Sequence, residues 1–385
     1  MDFQSLLALI FIVVLLILVV LNRKKIEFQK ILFPILYFAL YRTKLGLKWM
    51  DRISSISPKF WRMFYTVGIG IGFAGMIWIS YTLIESTISL FTQSSVTAGI
   101  MPVLPFEAKG VFFVPFIYWI VSIFIIAGVH EFSHGIAARA FNIRVKSSGF
   151  AVLGIIFPVI PAAFVEPDEK QMAKKSRRAQ LAVLSAGPLA NLVTAVLVIL
   201  LVIAVINPVL APVMPKSGIE ISKVEPLSAA AAVGLEEGDI ITKINNVELS
   251  SVDDFTTLMS AEHPNDRRVI TTQRGNFAVT LGSSATDQSK AFLGVYPKQH
   301  YVSAGWLGKI PYSVPIIEWI NGLLFWLFSL NIGIGVFNLL PLGPVDGGRM
   351  FLIVCEKLKM RKLWVYVSLL FTALIFINLF SGFVK

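Results

Sequence analysis

Six apolar stretches, each close to or beyond the roughly 20 residues needed to cross hydrocarbon, constrain this chain more than anything else in it. They run over about Leu6–Leu21, Phe64–Phe91, Val111–Val129 continuing to Ala140, Leu181–Ile206, Tyr312–Leu340 and Leu363–Phe383. Composition agrees, since 56% of the 385 residues are hydrophobic and only 15% are charged, against about 25% charged in a soluble domain. An ordinary water-soluble enzyme and a disordered chain are both excluded. The first stretch has no basic residue before it, and Val20-Leu21-Asn22 offers no small-residue cleavage site. It therefore reads as an anchor and not as a removed leader.

The net charge of +11 would suit a nucleic-acid partner if the cations shared one surface. They do not: ten Lys and Arg lie between Arg23 and Arg62, eight between Arg139 and Arg178, and five between Arg349 and Lys362. Charges that flank apolar spans in this way mark the cytoplasmic side, so no nucleic-acid partner is expected. Six alternating crossings then put the N-terminus, residues 207–311 and the C-terminus outside.

Two further apolar stretches fit this count differently. Ile31–Tyr41, with 11 residues, is too short to span and is expected as a helix on the inner surface. Gly149–Val165 is uncharged but interrupted by Gly149, Gly154, Pro158 and Pro161. A hairpin dipping in from the cytoplasmic side fits it better than a span. From Pro212 to about Lys298 eleven acids face eight bases, the balance of an aqueous module. There Gly218–Val224, Arg267–Arg274 and Phe277–Leu281 read as strands, and Ser228–Gly234 and Asp253–Ser260 as helices.

Chemistry concentrates at His130-Glu131-Phe132-Ser133-His134. Residues i and i+4 share a helix face, so both imidazoles can reach one zinc ion while the glutamate leans over a water bound to it. The single cysteine, Cys355, leaves histidines and carboxylates as the ligands. His263 and His300 belong to or adjoin the aqueous module, and Glu318 is too far along its helix. Asp346, in Asn338-Leu-Leu-Pro-Leu-Gly-Pro-Val-Asp346-Gly-Gly, is the favoured third ligand, with Glu166, Asp168 and Glu169 as weaker candidates. Asn191, at similar depth in the next span, suits either an oxyanion or substrate contact or a hydrogen bond between spans.

Taken in order, His130-Glu131-x-x-His134, Gly187-Pro188-x-x-Asn191 and Asn338-x-x-Pro341 leading to Asp346-Gly347 resemble the site-2 protease family of intramembrane zinc metalloproteases. The likeness covers roughly Val111 to Cys355. Gly234-Leu-x-x-Gly238-Asp239 is similar to the turn of a PDZ domain, which one branch of that family carries. The resemblance implies one zinc ion held by His130, His134 and Asp346, with Glu131 as general base and Asn191 and Asn338 supporting substrate or oxyanion.

The expected fold is an α-helical polytopic membrane protein of about six spans, with an inserted small α/β PDZ-like domain and a re-entrant β-loop. Its regions are an anchor region at 1–110, a catalytic core at 111–211 and 300–385, and the module at 212–299. The expected activity is hydrolysis of peptide bonds in or near transmembrane helices of membrane-anchored proteins. The active site would lie near the cytoplasmic side, and the module outside would take a peptide ligand. A non-catalytic zinc-containing scaffold is the alternative, although it has no need of Glu131. An ion transporter would need acids along a pathway, which the spans lack.

Overall fold

The computed structural model describes residues 3–32, 36–92, 99–155, 157–284 and 287–384. They form two compact units, one made of Met1–Leu200 with Gly322–Lys385 and the other of Leu201–Asn321.

Among the described residues five helices are long and apolar enough to cross a membrane, and Leu6–Leu21 forms a shorter apolar helix. In the first unit α1 (Phe3–Leu21) leads to strands β1 (Ile26–Leu32) and β2 (Leu36–Thr43), then to α2 (Leu47–Ile56) and α3 (Pro58–Thr92). A short parallel pair, β3 (Val103–Leu104) and β4 (Phe112–Phe113), precedes α4 (Phe116–Ala140). Strands β5 (Val145–Ile155) and β6 (Phe157–Pro167) follow, then α5 (Glu169–Ala173), α6 (Arg177–Leu184) and α7 (Ala186–Leu201). Ile77, Phe91, Leu197 and Leu369 are among many large apolar side chains left exposed, an arrangement that hydrocarbon tolerates and water penalises.

Where the sequence suggested one helix from Leu181 to Ile206, the chain breaks at Ser185 into α6 and α7. Pro188 cannot donate to the carbonyl four residues back, so a continuous helix is interrupted there. Small residues let α3 approach its neighbours closely: a Cβ on Gly68 would come within 2.7 Å of Leu189 in α7, and one on Gly72 within 2.9 Å of Met350, in the helix that begins at Asp346.

The expected surface helix at Ile31–Tyr41 is instead strand, apart from residues 33–35, which lie outside the described set. Strands β1, β2, β5 and β6 form one antiparallel sheet in that order, with β2 paired to β5 from Leu36↔Ile155 to Thr43↔Ser148. Pro34 removes a helical donor from the middle of the stretch, whereas as strands the two halves pair with each other and β2 also with β5, so that β2 finds backbone partners on both sides. The hairpin expected at Gly149–Val165 is present as β5 and β6, with Ile156 outside the described residues. One guanidinium stitches the sheet across its strands: Arg42 donates to Glu27 at 3.0 Å, to Ser147 Oγ at 3.1 Å and also to Glu166.

The second unit carries the aqueous module. After α8 (Asn207–Leu210) come β7 (Lys216–Val224), α9 (Ala229–Ala232), β8 (Ile240–Ile244), β9 (Val247–Glu248) and α10 (Val252–Ser260). Then follow β10 (Arg267–Thr272), β11 (Gly275–Thr280), β12 (Gly282–Ser283), β13 (Ala291–Phe292) and β14 (Val295–Tyr301). The main sheet runs β11-β10-β8-β7-β14, with β9 paired to β8. Ile219, Ile221, Ile241, Ile244 and Ile270 are fully enclosed in its core with Phe255 of α10. The strands and helices expected from the alternation of this segment all appear. The remaining elements return to the first unit: α11 (Ser313–Phe337), whose later part belongs there, α12 (Asp346–Lys357) and α13 (Arg361–Val384).

Asp239 holds the module's characteristic turn. Its side chain is only 2% exposed and binds Arg274 through both oxygens while accepting the Glu236 N–H at 2.9 Å. Arg274 holds its carboxyl below the usual carboxylate value of 3.8. A lowered pKa stabilises the fold above the unfolded value and loses that effect as pH falls through the folded one. Asp239→Ala should therefore cost the module about 1–3 kcal/mol at neutral pH, read by denaturant unfolding of the full chain, and wild type should lose the same contribution only below pH 3.8.

Candidate active site and metal centre

Apolar packing brings the polar residues of α4 to one place. The half of the helix from Phe116 to Ile126 buries Trp119 and Ile126 against α11, and the half from His130 to Ala140 packs against α2, α3 and α6. A Cβ on Gly135 would collide with Met50 of α2, and the Tyr65 hydroxyl of α3 meets Ser133 Oγ at 3.1 Å. These contacts fix the rotation of α4, which turns His130 and His134 inward at 8% exposure each.

Asp346 arrives from a different element than its sequence position suggests. It is the first residue of α12, beyond a tight reversal that follows α11. In that reversal Gly347 N–H donates to the Asn338 carbonyl at 2.7 Å. Any Cβ on Gly347 or Gly348 would overlap the carbonyls of Leu339 or Leu342, so the two glycines are what lets the helix start this close to the preceding span.

Three ligand atoms converge as a result. His130 Nε2 and His134 Nε2 are 3.2 Å apart, and Asp346 Oδ2 lies 3.1 Å from the first and 3.2 Å from the second. A tetrahedral zinc with bonds of about 2.0–2.1 Å has ligand-to-ligand edges of about 3.3–3.4 Å, so the triangle fits zinc with little adjustment. Among the described residues this is the one group of three or more potential ligands gathered in this way.

The outer nitrogens settle how the rings are used. His134 Nδ1 stands 2.7 Å from the Val183 carbonyl. A carbonyl only accepts, so Nδ1 carries the hydrogen and Nε2 keeps its lone pair for a metal. Asn191, expected at substrate or as a bond between spans, lies behind the other ring. It is fully buried, with its amide 3.1 Å from His130 Nδ1. Of the two expectations for this residue, the geometry shows a hydrogen bond between helices, from α7 to α4. Its Oδ1 is buried without a partner. Amide oxygen and nitrogen are assigned from their surroundings, and half a turn of this amide would place Oδ1 on an Nδ1–H, as an imidazole ligating through Nε2 requires.

Glu131 Oε2 accepts the Val165 N–H of β6 at 2.8 Å. A cavity of about 480 Å³ opens there, lined by Glu131, Phe164, Val165, Asn338 and Asp346 among others. Asn338 donates to the Ile334 carbonyl at 3.0 Å, so it stands at the cavity and not in the ligand group. The weaker ligand candidates are engaged elsewhere: Glu166 by Arg42 and Ser147, Asp168 as the cap of α5, and Glu169 by Arg349 at 3.2 Å.

Gly187, which the sequence offered only as part of a motif, has a steric task. A Cβ there would overlap both His130 Nε2 and His134 Nε2. The Val183 carbonyl and the Val165 N–H escaped sequence reading because backbone groups carry no residue signature.

Comparison with known proteins agrees with this geometry. The profile of Peptidase family M50 matches residues 118–377. An uncharacterised protein of Methanocaldococcus jannaschii is 30% identical over 84% of this chain and 80% of its own length. Zinc metalloprotease RasP of Oceanobacillus iheyensis is 22% identical over 51% of this chain, and Regulator of sigma-W protease RasP of Bacillus subtilis is 22% identical over 55%. The matches cover 55% and 59% of those two relatives. A solved PDZ domain of an SdrC-like protein from Listeria monocytogenes is 21% identical, covering 21% of this chain and 87% of that one with a TM-score of 0.19. With two thirds of its length inside the family profile and its ligand group assembled, the chain belongs to Peptidase family M50, the site-2 protease family of zinc metalloproteases.

Proposed function

We propose that the protein is a membrane-embedded zinc endopeptidase that cuts peptide bonds in or near the transmembrane helices of membrane-anchored substrates. The observation that carries this reading is the 3.1–3.2 Å triangle of His130, His134 and Asp346, set beside Glu131 on a helix apolar and long enough to cross a bilayer.

His130, His134 and Asp346 would hold the zinc. When bound, zinc acidifies a water and polarises a carbonyl. Glu131 takes the proton of the attacking water on Oε1, because Oε2 is held by Val165 N–H, and returns it to the leaving amine. Asn191 acts behind His130 by fixing the tautomer and ring orientation that ligation through Nε2 needs. Asn338 faces the cavity and contacts substrate or the developing oxyanion. A helical substrate must unwind before its carbonyl is accessible, and the unwound segment adds as a strand to the edge of β6.

Basic clusters on the loops support a cytoplasmic placement of the site and an external one for the module. We read the module as PDZ-like, binding an exposed peptide end or turning away substrates whose outer domain is still present. Deleting residues 213–298 separates these roles, since lost cleavage marks recruitment and cleavage of untrimmed proteins marks exclusion.

With a model transmembrane substrate in detergent or vesicles, Glu131→Gln should lower turnover about 100- to 10,000-fold at unchanged zinc content. Equal cleavage by both proteins, or by neither with zinc bound, would contradict the proposal, and the second outcome would favour a non-catalytic scaffold. Asn191→Leu should weaken zinc about 10- to 100-fold in competition with a chelator, while Asn191→Asp, which keeps an acceptor at Nδ1–H, should retain it. Gly187→Ala should yield protein without stoichiometric zinc, measured by metal analysis.

A further inference from the structure

One face of the β1-β2-β5-β6 sheet floors a second cavity that opens beside the metal ligands. Side chains two residues apart share a face of a strand, and the rows Leu40↔Ala151↔Ala162 and Arg42↔Gly149↔Phe164 cross β2, β5 and β6 in register. Alanine and glycine on β5 leave depth above the middle of these rows, where a cavity of about 570 Å³ lies. It shares Val165, Glu169 and Arg349 with the cavity lined by Glu131 and Asp346. Val165 is also the residue whose N–H binds Glu131, so a peptide reacting at Glu131 has this second cavity within a few residues of the cut.

The charges around the second cavity do not balance. Four cations line it, Arg42, Lys146, Lys170 and Arg349, against two acids, Glu166 and Glu169. Arg42 is matched by Glu27 and Glu166. Lys146 has Asp168 at 4.0 Å, and Lys170 enters no ion pair among the described residues. Arg349 is held by Glu169 at 3.2 Å. The side chains of that pair are 41% and 76% exposed, so the pair holds weakly and exchanges partners readily. Glu169 displays the chemistry that fits here: a carboxylate on Arg349, which lies one helical turn beyond Asp346 on α12.

We propose that this cavity is a specificity subsite that takes an acidic side chain of the substrate, Asp or Glu, on Arg349 and Lys170, with Glu169 as the resting occupant that the substrate displaces. This deepens the proposed protease reading and rests on it. Cytoplasmic flanks of membrane helices carry an excess of Lys and Arg. A cationic subsite beside a cytoplasmic cut therefore turns most membrane proteins away by repulsion and admits those with an acid close to the cut. Selectivity then comes as much from the class rejected as from the class accepted.

The test uses the full-length protein in vesicles of zwitterionic lipid, whose surface has no net charge to attract a substrate, with zinc measured in each sample. A model transmembrane substrate is made with Asp, Asn or Lys at successive positions on either side of its cut. At one position or two neighbouring ones, wild type should cleave the Asp form with a kcat/KM about tenfold or more above that of the Lys form, and the ratio should shrink as salt screens the charges. Arg349→Glu and Lys170→Glu should each lower that ratio. Glu169→Gln frees Arg349 and should lower KM for the Asp form, whereas Arg349→Gln should raise it; a merely structural ion pair would give changes of one sign. Equal cleavage of the Asp and Lys forms by wild type, an unchanged ratio in either zinc-loaded charge reversal, or KM changes of the same sign in the two glutamine variants would overturn the subsite. If Arg349→Glu loses zinc, Lys170→Glu decides, because Lys170 lines the second cavity and not the one around the ligands. Failure of the protease reading looks different, because then zinc-loaded wild type would leave every form of the substrate intact.

Discussion

Three lone pairs held at one point organise the membrane unit. Two of them lie one helical turn apart on α4, which any helix can provide. Holding them free of protons and aimed at a third is harder, and the surrounding structure is arranged around that need. The Val183 carbonyl assigns the hydrogen of His134 to Nδ1. Asn191 stands at the same atom of His130. Gly187 keeps the space in front of both Nε2 atoms clear. The glycine pair after Asp346 lets a new helix begin close enough for its first side chain to complete the triangle.

The other unusual feature is a sheet beside the metal ligands. Backbone donors and acceptors kept from water need partners from the protein itself. Pairing β1 and β2 with β5 supplies them on one side, and on the other side prolines remove donors that would go unmet. The outward N–H of Val165 holds Glu131, so the sheet edge also positions the proposed general base.

Much of this could be read from the residues. The i, i+4 histidines, the intervening glutamate and the scarcity of other ligands pointed to His130, His134 and Asp346 before any coordinates, and period-two alternation located the strands of the module. The stretch Ile31–Tyr41 was misread because a short apolar run has no period that separates strand from helix, and its partner strand lies more than a hundred residues away. Asn191 stayed open between two readings for a related reason: depth along a span is visible in sequence, but the direction of a side chain within a bundle is not.

Whether His130, His134 and Asp346 form a mononuclear zinc site is read most directly by X-ray absorption at the zinc edge of the purified protein. One zinc per chain is expected, surrounded by two imidazole nitrogens and by oxygen donors at about 2.0–2.1 Å, with the signal lost in His134→Ala. A sulfur neighbour, or the same spectrum and zinc content in His134→Ala, would contradict it.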